Sequence, residues 1–329
     1  MARRRILITG ISSYLGTELA RRLEADHDVE YLAGIDTRKP GGGLERTDFI
    51  EADIRNPVIA KLLPQTGVDT VVHNQIVRRP GRLSARAAHD INVIGSLQLL
   101  AACERAESVR AIVIRGSAGI YGAEPAAPQF FTEEMTRLYP LRTRFQRDVG
   151  EVENLFETFR RRHAGVVCTM LRYQPSIGPS VDTQFTRYLS LPLVPTYLGF
   201  DPRIQLVDER DALDSFVAAV KNPVRGAVNV AGHGTVGLTK TIRLAGKLSL
   251  PLPAPLFGPT TGGAHRLGMV EFSEDFSRLL RHGRAVDTTR LVHEVGFTPR
   301  FSTEEAVLAY AQTRRGMRAA PSLREAVAR

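Results

Sequence analysis

The chain of 329 residues predicts an α/β fold, a doubly wound parallel sheet with a smaller C-terminal lobe. Three observations carry that expectation. Short β-branched strand patterns alternate with amphipathic helix patterns through the first half. The first strand runs through a glycine-punctuated turn into a helix. From about residue 174 onward, prolines at 175, 179, 192, 195 and 202 break the periodicity. With 43% hydrophobic and 24% charged residues, the chain can bury a sizeable core.

The first element sets the arrangement. Ile6-Leu7-Ile8-Thr9 reads as strand, Gly10-Ile-Ser-Ser13-Tyr14-Leu15-Gly16 as a turn, and residues 17–23 as a helix with apolar residues at helical spacing. In such a unit, loop N–H groups and the positive end of the helix face an anion, and glycine lets the main chain approach it. Residues 29–35 form a second strand pattern with Asp36 at its end, twenty residues after Gly16. An acid there accepts both hydroxyls of an adenosine ribose and repels a 2′-phosphate, which favours NAD over NADP; Arg38, two residues on, is a cation that could meet such a phosphate. Residues 48–55 read as a third strand containing Asp53, followed by a helix over 57–63, and residues 70–73 as a fourth strand ending in His73. A long amphipathic segment, 84–106, contains Asn92 and Gly95. The fifth strand, 110–115, leads into Gly116-Ser117; a helix over 142–163 and a sixth strand over 166–172 follow. The pattern returns with a helix over 208–220 and a strand over 227–231, and two terminal helices are expected near 286–295 and 303–314. A dinucleotide-binding domain over 1–175, rejoined by 205–232, and a substrate lobe of 176–204 and 233–329 are the expected division.

Other function classes fare less well. The net charge of +9 invites nucleic acid, but the basic residues are scattered, the densest at 78–82, 142–147 and 160–162, with no Trp and no interleaved aromatics. No nucleic-acid partner is expected. The apolar stretch 191–200 is interrupted by Pro192 and Pro195, and the run after Arg3-Arg4-Arg5 stops at Thr9-Gly10, so neither a membrane span nor a signal peptide is expected and the cytoplasm is the default compartment. Cys103 and Cys168 sit in apolar contexts and read as core thiols. No Cys/His/Asp cluster has metal-ligand spacing.

Taken together, these motifs resemble the extended short-chain dehydrogenases/reductases, the family of UDP-glucose 4-epimerases and sugar-nucleotide dehydratases, over nearly the whole chain. Gly10–Gly16 lies where that family has its Gly-x-x-Gly-x-x-Gly loop, with Tyr14-Leu15 at the aromatic–aliphatic pair and Ser13 in place of the middle glycine. Asp53-Ile54 matches the pair that holds adenine. Val71-Val72-His73-Asn74-Gln75 matches the Val-x-His-x-Ala segment, Gln75 departing from Ala, and Asn92-Val-Ile-Gly95 the Asn-Val-x-Gly helix motif. Ser117-Ala-Gly-Ile-Tyr121-Gly122 resembles the segment carrying the catalytic serine. Leu171-Arg172-Tyr173, Ile177-Gly178-Pro179 and Gly296-Phe297-Thr298-Pro299 complete the set. The resemblance implies a Rossmann sheet, NAD, a nucleotide-sugar or other small-molecule substrate, and a homodimer paired through helices 84–106 and 142–163.

The departures bear on chemistry. The family uses a Tyr four residues before a Lys; counting back from Glu151 as the following acid, the window is Thr143 and Arg147, and no Tyr anywhere in the chain has a Lys four residues on. Arg147 keeps a bond to the nicotinamide ribose in this reading, whereas a Thr hydroxyl is too weak an acid for the Tyr role. Loss of a positioned acid–base group costs about 10²–10⁴ in rate. Pro175 replaces an Asn that contacts the nucleotide sugar. Asp148, Glu151 and Glu153 lie on the helix bordering the cleft, where one of them could serve as a replacement base although solvated helix carboxylates are the commoner case, and His73 reads as structural. The expected outcome is an NAD-binding epimerase, dehydratase or reductase-like protein with an altered acid–base site; a non-catalytic NAD-binding sensor or scaffold is the alternative.

Overall fold

The computed structural model of the protein describes residues 3–78, 84–258, 261 and 272–319. Basic residues 79 and 82 and Pro259 lie outside them. Seven strands form one parallel sheet: β1 (Arg4–Thr9), β2 (Val29–Asp36), β3 (Thr47–Glu51), β4 (Thr70–His73), β5 (Ala111–Ser117), β6 (Val167–Tyr173) and, late in the chain, a strand at Gly226–Val230. From one edge to the other the order is Gly226–Val230, β6, β5, β4, β1, β2, β3. Direction reverses between β1 and β4, and a crevice opens at the C-terminal ends of strands at such a switch point.

The strands read as continuous apolar runs because both faces are covered. Side chains alternate, so Leu7 points to one side and Ile6 and Ile8 to the other. On Leu7's side pack α2 (Val58–Thr66), α4 (Gly95–Glu104) and α5 (Arg144–Arg162). Cys103 and Cys168 both lie in this core as free buried thiols, and burial pushes both thiols up. On the other side lie α1 (Tyr14–Glu24) and α7 (Glu209–Lys221). The long segment after β4 is α3 (Ala85–His89), a π-helical turn at Asp90–Ile94, and α4, one continuous rod with Asn92 on the widened turn.

The Gly226–Val230 strand of the main sheet is β11, and a second core gathers most of the remaining elements: β7 (Ser176–Ile177), α6 (Gln184–Tyr188), β8 (Leu193–Tyr197), β9 (Arg203–Ile204), β10 (Val207–Asp208), β12 (Val236–Gly237), α8 (Leu238–Leu244), β13 (Leu248–Leu252), α9 (Glu274–His282) and α10 (Thr303–Ala319). β7 pairs with β10, β9 with β12 and β8 with β13, three two-stranded sheets. Phe185, Tyr188, Phe257 and Phe276 fill the space between them. Pro195 and Pro251 stand in the β8–β13 ribbon, where each strand has an open side and a missing N–H is tolerated.

The helix expected near 286–295 is shorter than expected: the segment begins in a β-bridge between Val286 and Phe131, and residues 289–295 turn helically, the last five as a π-helical turn. Val286 is buried with Tyr121 and Phe131, and its N–H donates to Gln205 Oε1, so the backbone there is committed to a side chain and a bridge. Conversely, α9 was not read from the sequence, although Phe276, Leu279 and Leu280 have helical spacing and all three are buried.

Candidate functional site

The Gly10–Gly16 turn is held by its own side chains. Gly10 has φ +70°, and a Cβ there would stand 2.9 Å from the backbone of Gln75. A Cβ on Gly16 would meet the Gly10 carbonyl oxygen at 2.3 Å. Ser13 caps α1: its Oγ accepts from Gly16 N at 3.1 Å and donates to Gly10 O at 2.9 Å. Asn74 Nδ2 donates to both Gly10 O and Ser13 Oγ. The hydroxyl that replaces the family's middle glycine is therefore committed to the turn, and its hydrogen is not free for a phosphate. The N–H groups of Tyr14 and Leu15, at the positive end of α1, have no acceptor among the described residues and remain as the anion donors.

Asp36 takes N–H donors from Ser12 and Thr37, one on each oxygen, and each oxygen keeps a further lone pair able to accept. Arg38 is exposed; its backbone carbonyl accepts from Ser12 Oγ. Asp53 is gripped by Arg55 through two bonds of 2.8 and 2.7 Å, and that guanidinium holds its carboxyl below the usual range. Ile54 is buried beneath α4, and a Cβ on Gly95 would come within 2.5 Å of it. Asn92 bonds Val77 N and Val77 O, fastening the chain after β4, and also reaches Asp148. His73 bridges Thr9 Oγ1 at 2.7 Å and Ser96 Oγ at 2.8 Å. Burial pushes its pKa down to about 4, so it is a neutral structural residue. Gln75 Oε1 is buried with no partner.

Beside this crevice lies a cavity of about 520 Å³ whose walls come from the C-terminal ends of β5 and β6, the start of α5, the chain after β4, and the second lobe. Ser117 is on the wall. Its Oγ accepts from Gly119 N at 3.1 Å, which leaves its hydrogen available to a ligand. Pro175 and Tyr173 also face the cavity.

The start of α5 departs from the sequence reading. Thr143 is on the wall but serves as the helix N-cap: Gln146 N donates to its Oγ1, and Gln146 Oε1 accepts from Thr143 N. Arg147 is exposed and turns back to the carbonyls of Leu141 and Arg142, away from the cavity. Tyr139 donates to Ala126 O. Glu151, the acid used to place the window, is exposed, whereas Glu153 is buried and forms a two-pronged pair with Arg172 at 3.0 and 2.8 Å. Glu153 and Tyr121 hold the Arg172 guanidinium firmly protonated despite its burial. Two residues beyond the expected window, Phe145 faces the large cavity and Val149 faces a small pocket beside Gln75 and Asn92.

One carboxylate reaches the wall from α5. Asp148 Oδ1 pairs with His89 Nδ1 at 2.8 Å, and Oδ2 accepts from Asn92. The carboxylate raises the His89 pKa. Arg115, two residues before Ser117 on β5, faces the same space. The sequence reading passed over it because it stands in an apolar strand run.

The family profile "NAD dependent epimerase/dehydratase family" matches residues 6–231. The chain belongs to that family. An uncharacterized protein of Mycobacterium tuberculosis (strain H37Rv) is 36% identical over 308 residues, 92% of this chain and 81% of the relative. Among solved structures, a UDP-glucose 4-epimerase of Stenotrophomonas maltophila with bound NAD and formylated UDP-arabinopyranose aligns at TM-score 0.73 and 17% identity over 97% of this chain and 100% of the other. A UDP-glucose 4-epimerase of Thermotoga maritima with UDP-glucose aligns at 0.71 and 18%, over 95% and 99%. At these identities the likeness is one of fold, and it extends through both the sheet and the second lobe of this epimerase/dehydratase-family chain.

Proposed function

We propose that this protein binds NAD across the Gly10–Gly16 turn and acts on a sugar nucleotide in the adjoining cavity, with a relocated acid–base group. The observation that carries the reading is that Asp36 at the end of β2, the unpartnered N–H groups of Tyr14 and Leu15 after β1, and Ser117 at the end of β5 follow one another along the C-terminal edge of the sheet, with Asp148 on the same cavity wall as Ser117. Solved proteins of the same fold that hold NAD or a UDP-sugar support it. In this reading Asp36 takes the adenosine ribose hydroxyls. Asp53 and Ile54 border the adenine, with Asp53 already shared with Arg55.

The buried Glu153, in place of exposed Glu151, supports aligning the family's Tyr and Lys with Phe145 and Val149 rather than with Thr143 and Arg147. Neither can move a proton. Asp148 is the group that can, with His89 as its charge partner and Ser117 donating to the substrate oxygen. When bound, the nicotinamide would supply the hydride acceptor for an alcohol carbon. The wholly apolar Phe145–Val149 pair also favours a second reading, in which the chain binds NAD and a nucleotide as a sensor without turnover. A homodimer through the 85–104 rod and α5 belongs to the same proposal; Ile94 and Leu97 are exposed there at 38% and 42%.

Mass analysis of nucleotide released from the purified protein, followed by reduced-nicotinamide absorbance on adding sugar nucleotides, tests both readings. Bound NAD with a spectral change that falls about 10²–10⁴-fold in rate in Asp148→Asn is the outcome for the enzyme. Bound NAD with no change supports the sensor. No NAD, and no binding of added NAD, overturns both.

A further inference from the structure

Arg115 puts a partly buried guanidinium without a carboxylate partner on the cavity wall, where the other arginine lacking an ion pair among the described residues, Arg144, is exposed. Arg115 and Ser117 are two apart on β5 and so share a face of the strand. Arg115 makes one long contact, 3.5 Å to Asn74 Oδ1, and no carboxylate lies within ion-pair distance of it among the described residues. The remaining arginines nearby differ in this respect. Arg187 pairs with Asp182, Arg172 with Glu153, and Arg78 approaches Asp275 at 3.6 Å while lying over the Phe145 ring. Burial and the charge of Arg78 both push the Arg115 pKa down, as expected of a cation lacking its counter-ion. Beside it, Gln75 Oε1 is buried without a donor, and both residues border the small pocket at Val149.

We propose that Arg115 is an anion anchor at the reacting end of the cavity, and that the ligand is a sugar nucleotide whose sugar carries a carboxylate. A carboxylate accepts two parallel N–H bonds from a guanidinium. A neutral hexose would leave the cation without a counter-ion. The inference rests on the sugar-nucleotide reading above and narrows it to uronates.

The full-length protein with NAD present is titrated with UDP-glucuronate, UDP-glucose and UDP, in the wild type and in Arg115→Met. The wild type is expected to bind the uronate about ten- to hundredfold more tightly than the hexose, and the variant to lose that preference while keeping its affinity for UDP and its thermal unfolding temperature. Inorganic phosphate competing as well as glucuronate would transfer the anchor to a phosphate and overturn the uronate assignment. Equal binding of uronate and hexose by the wild type overturns the proposal and leaves the broader reading intact; binding of NAD but of no UDP compound overturns both. Tighter NAD binding by Arg115→Met with an unchanged uronate preference would put the guanidinium against the nicotinamide and likewise overturn it. Should the variant fail to fold, the wild-type ratio of uronate to hexose affinity decides.

Discussion

Both ring nitrogens of His73 are bonded inside the fold, one to Thr9 on β1 and one to Ser96 on α4, where burial disfavours the charged ring. Its folded pKa of about 4 lies below the ordinary 6.5. The unfolded chain therefore takes up a proton first as acid is added, and the His73 contribution is complete above about pH 6.5 and lost as pH falls toward 4. Denaturant midpoints measured across that interval should drop in the wild type, and the drop should be shallower in His73→Gln, although that variant is less stable at pH 8. His89 behaves oppositely: Asp148 raises its pKa, so its pairing is strongest at low pH and fades as pH rises through the folded value. The roles of both histidines were only partly legible in the sequence. An apolar strand ending in His73 pointed to a structural residue, but nothing in sequence spacing joins His89 to Asp148, which are 59 residues apart.

At the scale of the element, α5 shows how a two-residue shift changes a reading. Thr143 precedes the helix with Gln146 three residues on, a capping box that can be read from the sequence, and the structure forms it. Replacing Thr143 with Ala should lower the unfolding free energy by about 1 kcal/mol and leave NAD and nucleotide binding unchanged, checked by urea unfolding and titration side by side. A large loss of turnover with unchanged stability would instead return Thr143 to the chemistry. The same helix carries Glu153, whose partner Arg172 comes from β6. Only the packing of α5 against the sheet tells the buried acid from exposed Glu151, because both lie on a helix rich in charge. The rod from α3 to α4 repeats the lesson: Gly95 was visible as a motif glycine, but its reason is the Ile54 methyl 2.5 Å from where a Cβ would lie.

For the whole molecule, the turn after β1 joins the two cores. Tyr14 is 40% exposed at the start of α1, beside Ser180, whose N–H donates to Glu209 at 2.9 Å, and burial raises the Tyr14 pKa. Adding NAD at about a hundred times its Kd should stabilise the fold by about 2.7 kcal/mol, read as a shift in thermal unfolding. In Gly16→Ala that shift should vanish, because the added Cβ meets the Gly10 carbonyl at 2.3 Å. No helix among the described residues is long and apolar enough to cross a membrane. The parallel sheet, its covering helices and the dinucleotide turn were determined by sequence alone, since strand and helix periodicity and a glycine at a tight corner are local signals that each element carries in itself. The bridge at Val286, helix α9, the commitment of Ser13 to its own turn, the Asp148–His89 pair and the uncompensated Arg115 were decided by tertiary structure. Each depends on which distant side chain arrives beside it, and a charge is known to lack a partner only once its surroundings are in place.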